Sequence, residues 1–162
     1  MLTLLDKFRR GLSLGGAYLS SILLVILVAL IMTEIIGRSF FDYSTMLADE
    51  YSGYLYLAVV FFGLAFTFES DAHIRINLVT SRLGKKAQRF MDVFAGILST
   101  SVMLFALYYC WLYMVDSHTM GMLSEGVSET PLYLAQIPMP IGLGLFALAS
   151  FVFTIKRIFN DI

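Results

Sequence analysis

The sequence predicts an all-α membrane protein with four transmembrane helices and both termini on the cytoplasmic side. Three observations carry this expectation. Of 162 residues, 59% are hydrophobic and only 14% charged, against roughly 25% charged in an ordinary soluble domain. The apolar residues gather into four long uncharged runs. The basic residues fall on alternate sides of those runs. A soluble chain this short could not bury so much apolar surface, and its length suits one membrane domain, 1–162.

The four runs predict spans at about 12–36, 47–68, 93–115 and 132–155. The last has a shorter alternative beginning near Pro138. Each offers about 18 or more residues, enough to cross a hydrocarbon core about 30 Å thick. They are expected to be helices, because lipid offers no partner for open backbone and the runs do not alternate like barrel strands. Lys7, Arg9 and Arg10 before the first run resemble the start of a signal peptide. The run is much longer than a secretory apolar core and no small-x-small site ends it, so an uncleaved first span is expected.

The connections set the orientation. Ten basic residues lie in the N-terminal tail (Lys7, Arg9, Arg10), the middle loop (Arg75, Arg82, Lys85, Lys86, Arg89) and the C-terminal tail (Lys156, Arg157), while Arg38 stands alone after span 1. The loop after span 3 has no Lys or Arg and holds Asp116, Glu125 and Glu129. The positive-inside rule places both termini and the middle loop in the cytoplasm. Tyr51, Tyr54 and Tyr56 open span 2. Tyr108, Tyr109, Trp111 and Tyr113 close span 3, and Tyr133 precedes span 4. These rings fall toward the outer face, where amphipathic aromatics sit at headgroup level. Within the middle loop, residues 73–78 alternate apolar and polar. From Val79 the spacing of Val79, Leu83 and Phe90, with Arg82, Lys85, Lys86 and Arg89 between, predicts a short amphipathic helix on the inner surface. Gly84 interrupts that pattern.

Few residues invite chemistry. Glu34 sits near the outer end of span 1, four positions before Arg38, the favourable order for a helical ion pair. An intramembrane carboxylate can also be an ion or proton site, but an interfacial pair with Arg38 or with a partner subunit explains it more simply. Asp49 and Glu50 fall in the first turn of span 2, where the helix dipole favours carboxylates and Ser44 or Thr45 is placed to cap. His73 and His118 lie on opposite sides, so no haem pair forms. Cys110 is alone and cannot form an intramolecular disulfide. No cofactor, metal site or enzymatic motif is expected. The net charge of −1 by itself points to no nucleic-acid partner. Gln136, Pro138 and Pro140 mark the start of span 4, as a short turn from Pro131 followed by a helix from about Pro138; a functional broken helix of the transporter type is the sharper alternative. Gly11 and Gly15 form a small-xxx-small spacing.

The stretch 49–54, Asp-Glu-Tyr-Ser-Gly-Tyr, resembles the acidic start of span 2 in the small, DctQ-like permeases of TRAP (tripartite ATP-independent periplasmic) transporters. His73-Ile74-Arg75-Ile76-Asn77-Leu78 is similar to that family's motif after span 2, with Asn77 where an Asp is often expected. The stretch 136–142 resembles the family's start of span 4. The resemblance implies a bacterial inner-membrane subunit that pairs with a large, DctM-like membrane subunit carrying substrate and sodium. A periplasmic binding protein would deliver an organic acid, of the C4-dicarboxylate or sialic acid class. It implies a scaffold for an elevator-type partner, in contact with membrane lipids, and no catalysis. Glu34, Arg38, Asp49, Glu50, His73 and Arg75 are the candidate partner-subunit or interfacial contacts. Two other readings remain open from the residues: a proton-coupled transporter working alone through Glu34, and a generic four-span adaptor.

Overall fold

The computed structural model describes residues 2–69 and 84–159, and every secondary-structure element in them is helical apart from one isolated bridge. Helix α1 runs Leu2–Phe41, α2 Ala48–Glu69, α3 Lys85–Thr119, α4 Leu132–Gln136 and α5 Pro138–Phe159. Four stretches are long and apolar enough to span: Arg10–Phe41, Ala48–Phe68, Ala87–Thr119 and Leu132–Ile158. All four expected spans are present. Three are longer than expected, because a helix that leaves the hydrocarbon need not stop there. At about 1.5 Å per residue, the 40 residues of α1 reach about 60 Å, twice a bilayer core.

The helices form an open row in the order α1, α2, α5, α3. Neighbours α1 and α2 are antiparallel, α2 and α5 parallel, α5 and α3 antiparallel. Burial is concentrated in one inner helix, α5, while the other inner helix, α2, is only 11% buried. Half of the α5 span is buried, against 6% of α1 and of α3. The edge helices bury one narrow stripe each. On α1 the less exposed positions include Ser13, Gly16, Ser20, Leu23, Leu27, Leu30, Glu34 and Gly37, an alternation of three and four that keeps one seam against a neighbour over seven turns. On α3 the corresponding stripe is Arg89, Gly96, Met103, Cys110 and Ser117, each seven residues from the last. The opposite flanks of both are large and apolar, with Val25, Met32, Phe94 and Phe105 among the exposed side chains.

Small residues set the helix separations. In lipid there is little hydrophobic drive between helices, so close backbone approach matters more. A Cβ at Gly16 of α1 would meet the Phe62 carbonyl oxygen of α2 at 2.7 Å. One at Gly142 of α5 would collide with the Phe61 carbonyl. The Ser20 hydroxyl donates to the Val59 carbonyl at 2.7 Å, tying α1 to α2 at the same depth. Between α3 and α5, Gly96 faces the side chain of Thr154, and the Thr100 hydroxyl lies 3.1 Å from that of Ser150. Phe68 of α2 packs against Phe146 and Phe153 of α5, with ring centroids 5.0 and 5.8 Å apart.

Span 4 starts as a short turn and then a break. The carbonyls of Leu134 and Gln136 lose their helical donors, because Pro138 and Pro140 carry no N–H. Ile137 nevertheless keeps helical angles, φ −49° and ψ −43°, and its N–H reaches the Tyr133 carbonyl at 3.1 Å. The break is therefore a gap in hydrogen bonding and not an unwound segment. Of the expected surface helix, residues 79–83 lie outside the described residues. Residues Lys85 to Phe90 form the opening turns of α3 with no interruption, and Gly84 stands before them in an extended conformation, φ −62° and ψ 153°.

Two substitutions test the close approaches. Gly142→Ala is expected to lower the thermal midpoint in detergent, since overpacking against fixed backbone costs about 1–3 kcal/mol. Gly144→Ala, where a Cβ meets nothing within 4 Å, is expected to be neutral or stabilising by about 1 kcal/mol. Equal midpoints for the two variants would refute this account of the α2–α5 contact.

Candidate functional site

Among the described residues the charged side chains collect at the two ends of the helices. One end holds the α1–α2 loop and the hairpin 122–131, and is called here the hairpin end. The other holds the start of α3 and the end of α5, and is called the basic end.

At the hairpin end, Glu34 is 8% exposed and both its carboxylate oxygens are occupied. Oε1 accepts from Arg38 Nε at 2.9 Å and from the Ser44 hydroxyl at 2.5 Å. Oε2 accepts from the Thr45 hydroxyl at 2.6 Å and the Thr45 N–H at 3.3 Å. The expected Glu34–Arg38 pair is thus formed, and the loop completes it. The two hydroxyls do less than expected for α2: Ser44 Oγ accepts from the Met46 N–H and Thr45 Oγ1 from the Leu47 N–H, both before the helix begins at Ala48. Their short side chains serve the loop, whose residues Asp42 and Met46 have φ of 46° and 54°. Arg38 continues to Asp49 Oδ2 at 3.4 Å. The Arg38 and Asp49 side chains are 48% and 81% exposed, so this arm of the cluster faces outward.

Glu50 anchors a second cluster that the sequence reading did not assemble. Its Oε1 accepts from the Tyr54 hydroxyl at 2.8 Å and from that of Ser124, and its Oε2 from the Ser128 hydroxyl at 2.7 Å. Ser128 also lies 2.6 Å from the Thr130 hydroxyl, which lies 3.0 Å from that of Tyr51. Backbone bonds from Ser124 N–H to the Thr130 carbonyl and from Leu132 N–H to the Met122 carbonyl close the hairpin at its base. Gly121 and Glu129 take positive φ of 60° and 46° at its bends. A side chain at Gly126 would collide with the Glu50 carboxylate, so the loop lies directly on the start of α2. The clue in the sequence was a Ser- and Thr-rich loop after span 3 and a carboxylate opening span 2. Nothing local joins two segments more than seventy residues apart.

The remaining expected residues fall as follows. His73 and Arg75 lie outside the described residues. Gln136 is 6% exposed, with its Oε1 buried and without a hydrogen-bond partner, and Pro138 and Pro140 open α5. His118 sits edge-on to Tyr133, ring centroids 4.7 Å apart. Among the described residues no three His, Cys, Asp or Glu side chains converge on one point.

At the basic end, Arg89 of α3 donates through Nε to the Arg157 carbonyl at 3.0 Å and through its terminal nitrogen to the Ile158 carbonyl at 2.5 Å. A guanidinium placed on the last carbonyls of a helix answers their unmet acceptors and the negative end of its dipole. Arg157 returns the link through Asp92 at 3.2 Å and covers the Phe153 ring.

Four long apolar helices whose described charged residues lie toward their ends define a multi-pass membrane protein. Residues 27–160 match the family described as tripartite ATP-independent periplasmic transporters, DctQ component, and the chain belongs to that family. It is a small permease subunit of a TRAP transporter, in the bacterial inner membrane. A Haemophilus influenzae protein assigned as a TRAP transporter small permease is 26% identical over 131 residues, 81% of this chain and 79% of that one. The ectoine TRAP transporter small permease TeaB of Halomonas elongata is 22% identical over 144 residues, 86% of this chain and 74% of that one. No solved structure matches the chain.

Substitutions should separate the anchoring carboxylates from the outward arm. Glu34→Ala and Glu50→Ala are each expected to lower the thermal midpoint in detergent by several degrees, because each strands several donors. Asp49→Asn is expected to change it little. Combining Glu50→Ala with Ser124→Ala and Ser128→Ala should add little to Glu50→Ala alone, since the three act as one unit. Full additivity would show that the hairpin is held by other contacts.

Proposed function

We propose that this chain is the stationary scaffold for the large membrane subunit of a sodium-coupled transporter fed by a periplasmic binding protein. The open row carries this reading. Helices α1 and α3 stand at its two edges with long apolar flanks exposed, which a second membrane subunit would extend. The span interiors at 11–33, 51–68, 93–115 and 132–155 contain no Asp, Glu, Lys or Arg. They thus hold no carboxylate for proton coupling, and this reading assigns the sodium and substrate sites to the large subunit. Glu34 favours the same reading over a transporter working alone. Its carboxylate is already held by an arginine, two hydroxyls and a backbone N–H.

The cargo is an organic acid, with C4-dicarboxylates and sialic acids the first classes to test. Ectoine, which the name of the Halomonas relative carries, belongs in the same panel. The orientation follows the ten-to-one division of basic residues: basic end and termini in the cytoplasm, hairpin end in the periplasm.

A tagged copy of the chain, purified from its bacterial host, is expected to bring down a large membrane subunit in equal amount. Uptake of one cargo class, driven by sodium, should need both. A stable homo-oligomer that transports on its own and loses proton coupling in Glu34→Gln would replace the scaffold reading. Orientation is checked separately. With Cys110 replaced by Ser, Val127→Cys should react with a membrane-impermeant maleimide in intact spheroplasts, and Lys156→Cys only after lysis.

A further inference from the structure

Two buried polar atoms at the hairpin end belong to neither carboxylate cluster. Ser117 of α3 is fully buried, and Gln136 of α4 is 6% exposed. The Ser117 hydroxyl and Gln136 Oε1 each lack a hydrogen-bond partner in the chain. A buried hydroxyl or amide left unpaired costs free energy, and folded chains answer nearly all of them with protein groups or ordered water.

The two residues share one contact. Gly96 faces Thr154, and Thr100 lies beside Ser150, which sets the antiparallel pairing of α3 with span 4. Continued toward the hairpin, that pairing brings Ser117 level with Tyr133, and the His118–Tyr133 ring contact at 4.7 Å agrees. Backbone bonds lead the same way. The Met122 N–H donates to the Ser117 carbonyl and the Leu132 N–H to the Met122 carbonyl, both at 3.0 Å. Gln136 stands one turn on from Leu132 and Tyr133. It is the buried residue of α4, and α4 packs chiefly on α3.

The chemistry of the contact selects its occupant. Gln136 Oε1 accepts only, and the carbonyls of Leu134 and Gln136, left without helical donors by Pro138 and Pro140, add acceptors in the same turns. The Ser117 hydroxyl is free to donate. A cation would find neutral oxygens and no carboxylate, since Glu34 and Glu50 are held by their own donors. Water can accept from the hydroxyl and donate to the amide oxygen, and a buried water needs two to four such partners.

We propose that one ordered water is built into the α3–α4 contact, accepting from the Ser117 hydroxyl and donating to Gln136 Oε1. It joins the end of span 3 to the start of span 4 at the level where the helix is broken. The site does not rest on the scaffold reading or on the cargo.

The sign of two substitutions tests it. Ser117→Ala removes one hydroxyl, and Gln136→Met removes the amide at nearly the same length. If the two groups were dry and unpaired, removing either would leave the thermal midpoint unchanged or raise it. With a bridging water, each change is expected to lower the midpoint of the full chain in detergent by about 2–4 °C. The double variant is expected to fall little further than the larger single change. A raised or unchanged midpoint in Ser117→Ala overturns the proposal, and so does an additive double variant. An experimental map that shows ordered waters is expected to hold density about 2.7–3.2 Å from both Ser117 Oγ and Gln136 Oε1. A direct bond between the two side chains, or density touching only one or neither, overturns it. Exchanging sodium for choline should leave the midpoint unmoved; a sodium-dependent midpoint that is lost in Ser117→Ala would place a cation there and overturn the water.

Discussion

The row depends on two neighbouring carbonyls at mid-depth of α2. Phe61 turns its carbonyl toward Gly142 of α5, and Phe62 turns its own toward Gly16 of α1. A helix backbone comes this close to a neighbour where that neighbour has no side chain, and here it does so on two sides at successive peptide units. The central helix is thereby gripped from both flanks at one level. From that level the chain builds outward: Ser20 on the Val59 carbonyl toward α1, and Phe68 between Phe146 and Phe153 toward α5. Helix α3 joins last, through Gly96 and Thr154. In hydrocarbon, where apolar side chains are content against lipid, such close approaches are what make one arrangement better than another.

The ends are held by different chemistry. At the hairpin end two carboxylates, Glu34 and Glu50, collect donors from loops, and each converts a flexible connection into part of the fold. At the basic end an arginine of one helix holds the last carbonyls of another. Both solutions place charge at the level where water is still near, so the cost of burying it is limited. Three levels of contact, glycine in the middle and polar groups at either end, fix the register of four helices with very little conventional core. The buried apolar residues include three alanines of α2 and two of α5, beside Leu143, Phe146 and Val152.

Much of this was legible in the sequence, and the reasons differ by element. The four spans follow from composition alone, because lipid selects for uncharged runs. The Glu34–Arg38 pair follows from helical spacing, a local rule. The division of basic residues was equally local in origin. The Glu50 cluster was not legible, since its partners Ser124 and Ser128 lie 74 and 78 residues away and serine in a loop carries no address. The opening turns of α3 belong to the stretch expected as a short surface helix leading into span 3, whose first part, residues 79–83, lies outside the described residues; amphipathic spacing shows which side is charged but not where such a helix passes into the span. Nothing in the spacing of Arg89 pointed to the end of α5, which is 68 residues further on.

The prolines that open span 4 have one more effect. The carbonyls of Leu134 and Gln136, left without helical donors, tolerate headgroup and water but not hydrocarbon. Sliding that helix inward by a turn would strand both, and sliding it outward would lift its apolar residues into water. The break therefore works as a waterline. It marks how deep the chain can sit, and holds its flanks at a set height in the membrane.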